Sequence, residues 1–547
     1  MPNIAIVSNR PSEHRPLLLL VVPSVLLLLL LLLYPVGPDQ SIYMIGGRML
    51  VKGGVYYRDI LDVKPPPVHW LAAAAMQLFG QGIEALRLAD LILQSLTVIL
   101  LAFYLRACDR SDAAIMFATS FYALGYLALG TEGTFQPEGW AGLLLISALL
   151  LRRMASPISG LSIGMIGAVL FAMKFTLVLP LFAFLLIPHT TSSEEAAPIT
   201  SGHGVEGHHP LHILAGFAVG LTIFFGIIHV SGGTDGLRTT MSFLSGRQAW
   251  TIAHGSPIEQ IVRGSISYVL TVLGPIPTLL SSVAFIAVIR RLVIRRRSDR
   301  AHPTDPVDHD ALLVSLVALM LLFSALSELM VLPYQLGRLL LPVTILTLWG
   351  IDSVVDRMNV RWTPRRLNSL VMPLMIAAIV LGPLPRVVNE VVDAVEAGRL
   401  SSGLTHPLLL NDRAQREEYA GVVSYLNRRG SPDDGVAFLS GYTGYLALLL
   451  SSEPPAGLLH GHQLIARFSP ASWRERFLTM IEEKQPLFLI VDRNDSVAAS
   501  FVGGDASIEW LRRALHAEGL DLLYHVGYRS AMFVVLERSV GAVDTIR

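Results

Sequence analysis

Residues 17–36 read LLLLVVPSVLLLLLLLLYPV, twenty residues without a charge. A helix needs about twenty apolar residues to cross the roughly 30 Å hydrocarbon core of a bilayer. The run resembles a secretion signal because Arg10, His14 and Arg15 precede it, but no small-x-small cleavage site follows. We therefore predict an uncleaved membrane anchor whose basic flank lies in the cytoplasm.

The composition of the whole chain is also typical of a protein embedded in a membrane. Of 547 residues, 52% are hydrophobic and only 15% are charged, with a mean hydropathy of +0.55. Charged residues make up about a quarter of an ordinary soluble domain. The net charge is zero, which predicts no nucleic-acid partner. The single cysteine, Cys108, excludes an intrachain disulfide and argues against a cysteine metal cluster.

Apolar runs separated by charges predict about eleven transmembrane helices within residues 1–384. The predicted spans are 17–36, 83–106, 112–130, 139–151, 158–172, 174–188, 211–231, 266–289, 311–332, 339–355 and 368–384, with a short apolar helix at 68–79. If the N-terminus is cytoplasmic, alternation places every basic cluster on the cytoplasmic side, as the positive-inside rule requires. These clusters are Arg106–Arg110, Arg152–Arg153, Arg290–Arg300 and Arg357–Arg366.

The same alternation places three polar loops and the C-terminal part of the chain on the outer face. The loops are 38–69, 131–138 and 231–265. In residues 385–547, amphipathic helical patterns alternate with strand-like runs at 435–439, 486–491 and 531–536, which favours an α/β domain. We therefore expect a polytopic α-helical membrane protein, 1–384, followed by a small extracytoplasmic α/β domain, 385–547.

The first outer loop concentrates ionisable residues next to the membrane, where such groups usually line a polar cavity. Asp39 follows the Gly37-Pro38 break, and YYRDILDVKPP covers residues 56–66. Asp39 either acts as a general base toward an acceptor hydroxyl or only caps a helix end. Arg58 and Lys64 are suited to binding phosphate. The alternative is that both cations pair with acids of the same loop and only order it.

These features together resemble the glycosyltransferase C superfamily. The resemblance rests on an acid after the first span, Tyr43 four residues later, the YYRDILDVKPP motif and a second span. It is closest to bacterial relatives of the aminoarabinose transferase of lipid A and of protein O-mannosyltransferases. The motif covers about 40 residues, whereas the arrangement of spans and outer domain covers the chain. The resemblance implies sugar transfer from a polyprenyl phosphate on the outer face of the cytoplasmic membrane, with Asp39 as the catalytic residue.

The resemblance also indicates other site residues. Gln40 stands where many relatives have a second acid, which weakens the case for paired acids or a metal there. Glu132 and Glu138 match a second acidic motif and would orient sugar or acceptor hydroxyls, or bind a divalent cation, unless they only belong to an ordinary loop. Lys174 either snorkels to the interface or binds the lipid phosphate. Arg338 precedes an LLP span, as a family arginine does, and is a second candidate for the phosphate.

We therefore expect a membrane glycosyltransferase that moves a hexose or pentose from a polyprenyl-phosphate donor to a hydroxyl of a lipid, glycan or protein acceptor. A single inverting displacement would use Asp39 as base. The predicted phosphate contacts are Arg58, Lys64, Lys174 and Arg338, and the predicted sugar or acceptor contacts are Tyr57, Asp59, Asp62, Glu132 and Glu138. One alternative is a transporter or flippase of a lipid-linked saccharide, although no inverted repeat is visible. Another is a non-catalytic scaffold whose outer domain binds a partner.

Overall fold

The computed structural model is mostly helical, with one small sheet near the C-terminus. It describes residues 15–154, 156–187, 210–254, 258–297, 306–328, 333–359, 364–400, 413–429, 435–439, 443–450, 457, 462–493 and 506–539. The chain divides into two compact units. The first unit is Met1–Tyr34, Arg87–Phe225 and Ser256–Val392, and the second is Pro35–Leu86, Gly226–Gly255 and Asp393–Arg547. The predicted boundary at residue 385 stays a prediction.

The described helices follow the apolar and amphipathic runs of the sequence. In chain order they are α1 Leu17–Leu28, α2 Pro38–Val51, α3 Pro66–Phe79, α4 Ile83–Ala107, α5 Asp112–Leu127, α6 Gly130–Gly133, α7 Pro137–Arg153, α8 Pro157–Met173, α9 Pro180–Leu186, α10 Pro210–Val230, α11 Thr234–His254, α12 Ile258–Leu273, α13 Pro275–Arg297, α14 Pro306–Ser327, α15 Leu340–Asn359, α16 Pro364–Val380, α17 Pro383–Leu400, α18 Arg413–Arg429, α19 Thr443–Leu449, α20 His462–Ile465, α21 Ala471–Lys484 and α22 Ala506–Ala517. Short 3₁₀ helices cover Leu29–Leu33, Phe175–Val178, Pro333–Leu339 and Asp521–Leu523.

The prediction of a helical membrane protein is confirmed. Within the described ranges, five helical segments are long and apolar enough to cross a membrane: Ile83–Ala107, Pro210–Val230, His309–Ser327, Gly337–Val354 and Val371–Gly398. Four shorter apolar segments coincide with further predicted spans, namely Leu17–Leu33, Pro157–Met173, Phe175–Leu186 and Pro275–Arg290. The total of eleven spans stays a prediction.

One predicted span is divided by a glycine. Residues 266–289 were expected to form a single helix, but the helix ends at Leu273 and a new one begins at Pro275. Gly274 between them has φ of +82°, which a residue with a side chain rarely adopts. A Cβ at this position would overlap the backbone of Leu381 and Gly382. Gly274 therefore allows two backbone segments to approach closely. The hydropathy of the sequence does not indicate this contact.

Residues 38–69 are more helical than the predicted loop. Pro38 occupies the first turn of α2, where its fixed φ and missing N–H are tolerated, and Pro66 does the same for α3. Asp39 follows the first apolar run, as predicted, but it lies in the first turn of a new helix and not in a loop. A carboxylate at this position is favoured by the helix dipole. Much of the predicted polar loop 231–265 is likewise helical, in α11.

The four described strands form one sheet in the second unit. They are β1 Val436–Leu439, β2 Phe488–Asp492, β3 Tyr524–Arg529 and β4 Phe533–Arg538, in the order β1-β2-β4-β3. β1 and β2 are parallel, with Val436 opposite Phe488, and the other pairs are antiparallel. The three predicted strands correspond to β1, β2 and β4. β3 was not predicted because it is a half-exposed edge strand with a polar composition and a bulge between Val526 and Tyr528.

The core of this α/β fold lies between the sheet and helix α21. Trp473, Phe477 and Ile481 recur every fourth residue along α21, so they share one face of the helix. This face packs in a cluster of buried apolar side chains with Leu489 and Val491 of β2. Burial of this periodic face explains why a segment of negative mean hydropathy forms a stable helix.

We expect Phe477→Ala to lower the stability of the full chain, because Phe477 is almost completely buried. Truncating a buried phenylalanine typically costs about 3–5 kcal/mol. The measurement is the thermal unfolding midpoint of the purified protein in detergent. Leu522→Ala is the control, since Leu522 is exposed and its truncation should shift the midpoint little. Equal shifts for the two variants would contradict the packing described above.

Candidate active site

A carboxylate and an ammonium group meet at the start of α2. Lys64 Nζ lies 2.8 Å from Asp39 Oδ2 and donates a hydrogen bond of the same length to the hydroxyl of Tyr43. Asp39 and Lys64 retain 24% and 19% of their side-chain exposure. Two residues separated by 25 positions are therefore brought together where solvent can reach them. The sequence predicted both residues, with Lys64 either binding phosphate or pairing with an acid of the YYRDILDVKPP segment, but it did not predict that Lys64 pairs with Asp39.

Buried aromatic and polar groups fix the segment that carries Lys64. The hydroxyl of Tyr56 donates to the carbonyl of Lys64 at 2.6 Å. The imidazole of His69 contacts the rings of both Tyr56 and Tyr43, with centroid distances of 5.0 and 5.6 Å. These contacts immobilise the backbone of Lys64 and the phenol that its ammonium binds.

Asp62 is placed differently from the predicted surface contact. Its carboxylate is fully buried, lies 3.0 Å from His69 Nε2 and accepts a hydrogen bond from Gln463 at 3.4 Å. A buried carboxylate requires such partners, because an unpaired charge in a low-dielectric interior is very costly. The geometry suits a residue that orders the loop, and direct contact of Asp62 with a sugar stays a prediction.

Arg58 and Asp59 form an exposed pair beside this centre. Arg58 donates to Asp59 through Nη2 at 2.8 Å, and the backbone N–H of Val55 donates to the same carboxylate at 2.8 Å. The hydrogen bonds from Arg58 hold the pKa of Asp59 below its ordinary value. Arg58 therefore already has an anionic partner, as the alternative interpretation of the sequence foresaw.

Tyr57 is a buried residue in an unusual backbone conformation. Its φ is +66°, and its ring lies against that of Tyr56 with a centroid distance of 4.8 Å. Burial raises the pKa of the Tyr57 phenol, which stays neutral at physiological pH. A Cβ on Gly236 would overlap the carbonyl of Tyr57, so this glycine permits the close approach of α11.

Three further predicted residues meet a fourth, Glu328, within the first unit. Lys174 Nζ lies 2.6 Å from Glu138 Oε1 and 2.6 Å from Glu328 Oε2. Arg338 Nη2 lies 3.2 Å from Glu138 Oε1 and 2.9 Å from Glu328 Oε1. We call these four residues the charged quartet. Two cations and two carboxylates alternate around it, so its formal charge is zero when all four are ionised.

Additional hydrogen bonds complete the quartet. Thr176 and Gln335 donate to Glu328 at 2.8 and 2.6 Å. Arg338 also donates to the hydroxyl of Ser324 and, through Nε, to the carbonyl of Gln335 at 2.7 Å. A buried guanidinium needs this degree of satisfaction, because its five donors leave water on folding.

A buried polar network holds the turn that precedes Glu138. Asp90 accepts from the hydroxyl of Tyr126 at 2.7 Å and from the backbone N–H of Phe135 at 3.0 Å. Arg87 donates to Thr134 at 2.8 Å and to the carbonyl of Tyr34 at 3.1 Å. The turn between α6 and α7 is thereby fixed, which places Glu138 in the first turn of α7. Glu132 is exposed on α6.

The described residues do not supply an obvious metal site. In the parts of the chain that the structure describes, no three His, Cys, Asp or Glu side chains are grouped so that they could hold a metal ion. The divalent cation proposed for Glu132 and Glu138 stays a prediction.

Three functional candidates were missed by the sequence argument. Glu328 is the single acid of the predicted span 311–332, and a lone carboxylate in an apolar run is by itself a signal of a partner. Asp90 in α4 gives a weaker signal, because Glu84 and Arg87 belong to the same helix. His69 gave none, because one histidine at the start of a short apolar helix has no distinctive spacing.

We expect Gly46→Ala to disturb the arrangement around Lys64. A Cβ at Gly46 would overlap the imidazole of His69, which is fully buried and cannot move into open space. Overpacking of this kind costs about 1–3 kcal/mol. Gly398→Ala is the matched control, because Gly398 also lies in a helix and a Cβ there meets no atom within 4 Å. The thermal unfolding midpoint should fall for Gly46→Ala alone, and an unchanged midpoint would contradict the close approach.

Comparison with known proteins agrees with this architecture. Residues 63–201 match the sequence profile of the family described as dolichyl-phosphate-mannose-protein mannosyltransferase. No curated protein sequence matches the chain at a significant level.

Two solved structures of ArnT from Cupriavidus metallidurans share the fold along nearly the whole chain. The structure bound to undecaprenyl phosphate is 14% identical, covers 96% of this chain and 98% of its own, and has a TM-score of 0.51. The apo structure is 14% identical, with coverages of 95% and 97% and a TM-score of 0.52. AglB from Archaeoglobus fulgidus, an archaeal oligosaccharyltransferase, has a TM-score of 0.44, too low to establish a common fold. The predicted resemblance is confirmed: the chain has the glycosyltransferase C fold, and its residues 63–201 carry the sequence pattern of the dolichyl-phosphate-mannose-protein mannosyltransferase family.

Proposed function

We propose that this protein is a membrane glycosyltransferase that moves a sugar from a polyprenyl phosphate to an acceptor hydroxyl. The observation that carries the proposal is the solvent-accessible pair of Asp39 and Lys64, whose charged atoms lie 2.8 Å apart at the start of α2. The family match and the ArnT-like fold support the lipid-phosphate donor. The reaction takes place on the outer face of the cytoplasmic membrane, and the acceptor is a lipid, a glycan or a protein.

Asp39 is the general base of the proposed reaction. Its carboxylate takes the proton of the acceptor hydroxyl while the acceptor oxygen attacks the anomeric carbon of the sugar. The bond from that carbon to the phosphate oxygen breaks, and the phosphate leaves with the electron pair. One displacement inverts the anomeric configuration. No general acid is needed, because a phosphate is a weakly basic leaving group.

Cations stabilise the charge that grows on the leaving phosphate. Fixed positive groups aimed at developing charge are usually the largest contribution to such catalysis. Lys64 is the first candidate because it already lies beside the base. Arg58, Lys174 and Arg338 are the other proposed phosphate contacts. Tyr57, Asp59, Asp62, Glu132 and Glu138 are the proposed groups that bind or orient the sugar and the acceptor, directly or through their neighbours.

We expect Asp39→Asn to abolish transfer, because an amide cannot accept the proton of the acceptor. Loss of a general base lowers the rate by about 10²–10⁴. The assay follows release of undecaprenyl phosphate from a panel of undecaprenyl-phosphate sugars in membranes that contain the full-length protein. Asp235→Asn is the control, because it makes the same substitution at an almost fully exposed carboxylate of the second unit.

The outcome also separates the enzyme from the alternatives. A transporter or scaffold would retain transport or partner binding in the Asp39→Asn variant. Full transfer activity in that variant would overturn the assignment of the base.

We expect Lys64→Gln to reduce kcat/KM for the donor far more than Arg58→Gln. Removing a preorganised donor to a developing oxyanion costs about 10²–10³ in rate. Arg58 is exposed and neutralised by Asp59, so its loss should cost less than about tenfold. Steady-state kinetics of the two variants with the same donor make the comparison. A larger loss for Arg58→Gln would show that the loop arginine, and not Lys64, binds the leaving phosphate.

A further inference from the structure

The charged quartet has an inner and an outer half. Glu138 and Arg338 are 1% and 0% exposed, whereas Lys174 and Glu328 are 24% and 13% exposed. The inner pair is therefore sealed within the first unit. An anion that approaches from solvent meets Lys174 first, and it meets that ammonium already bound to Glu328.

Glu328 contacts both cations of the quartet through different oxygens. Oε2 lies 2.6 Å from Lys174 Nζ, and Oε1 lies 2.9 Å from Arg338 Nη2. A carboxylate that bridges two cations in this way presents the charge and the geometry of two phosphate oxygens. Glu328 follows the last residue of α14, so it lies at the end of that helix.

We propose that Glu328 is a specificity-determining residue that competes with the anionic group of the donor for Lys174. This inference rests on the proposed function, since it assumes that the donor carries a phosphate. With Glu328 ionised and in place, the quartet is neutral and attracts no anion from a distance. With Glu328 displaced, the remaining three side chains carry a net charge of +1.

The competition selects for the kind of ligand that enters. The phosphodiester of the donor carries one negative charge and two free oxygens, as a carboxylate does, so it can replace Glu328 at Lys174 without leaving the ammonium uncompensated. Neutral sugar hydroxyls and the hydrocarbon tail of a lipid cannot, because they would leave the ammonium without a counter-charge. Glu328 therefore lowers the affinity for phosphate in exchange for excluding neutral ligands.

The test measures binding of undecaprenyl phosphate to the full-length protein in detergent, with the neutral alcohol undecaprenol as the second probe. Glu328→Gln keeps the shape of the side chain and removes its charge. We expect undecaprenyl phosphate to bind about tenfold more tightly to this variant, since a competing charge in contact with the cation is gone. Undecaprenol should bind weakly to the unchanged protein and more tightly to the variant, because the carboxylate that excludes neutral ligands has lost its charge.

Asp310→Asn is the matched control. Asp310 also belongs to α14, and it binds two cations, Arg152 at 3.3 Å and Arg153 at 2.9 Å. It lies roughly 27 Å from Glu328 along the helix, at 1.5 Å per residue. The same loss of one negative charge there should leave the affinity for undecaprenyl phosphate unchanged.

Gln335→Met keeps the test decisive if Glu328→Gln does not fold. It removes the 2.6 Å hydrogen bond that holds Glu328 without changing any charge, so it should tighten phosphate binding several-fold. Unchanged or weaker binding of undecaprenyl phosphate in the folded variant would overturn the inference while leaving the proposed function intact. If neither the unchanged protein nor any variant binds undecaprenyl phosphate, both the inference and the proposed function are overturned. If Asp310→Asn raises the affinity for undecaprenyl phosphate as much as Glu328→Gln does, the effect comes from net charge alone and the inference about Glu328 is overturned.

Discussion

The cost of placing ionisable groups in an apolar environment governs this structure. A chain with so few charges cannot leave them unpaired where water is scarce, because each would lose its hydration without compensation. Lys174 and Arg338 accordingly share two carboxylates, and Lys64 donates hydrogen bonds both to Asp39 and to the hydroxyl of Tyr43. The same pairings that make these residues tolerable also hold them at defined positions, which is what a catalytic group requires.

This constraint explains why sequence reasoning singled out several ionisable residues that the structure shows in ion pairs. Lys174 lies in a short bend between apolar helices, and Arg338 precedes an apolar run, so both charges stand out in the sequence. Both side chains contact carboxylates in the structure. Which carboxylate each cation would contact was harder to predict. Lys64 was expected either to bind phosphate or to pair with Asp59 or Asp62, and in the structure its partner is Asp39, because α2 and α3 pack against each other. Pairing across 25 residues depends on packing, which local spacing does not contain.

The fold was predictable to a similar extent. Long apolar runs such as Ile83–Ala107 became helices at nearly the expected bounds, because length and hydropathy are sufficient to define them. The predicted helix bounds were wrong where the backbone conformation of a glycine or a proline determines where a helix begins or ends. Gly274 interrupts an apolar run that contains no charge, and Pro38 begins a helix in a stretch expected to be a loop. The edge strand β3 escaped notice because exposure on both faces removes the alternation by which strands are identified.

Helix α14 is bound by ion pairs at both of its ends, Asp310 to Arg152 and Arg153 and Glu328 to Lys174 and Arg338. Sliding along its own axis by one turn, about 5.4 Å, would break both sets at once. A tilt about one end would keep the ion pairs at that end and separate those at the other. The two sets of ion pairs therefore fix both the axial position and the inclination of α14.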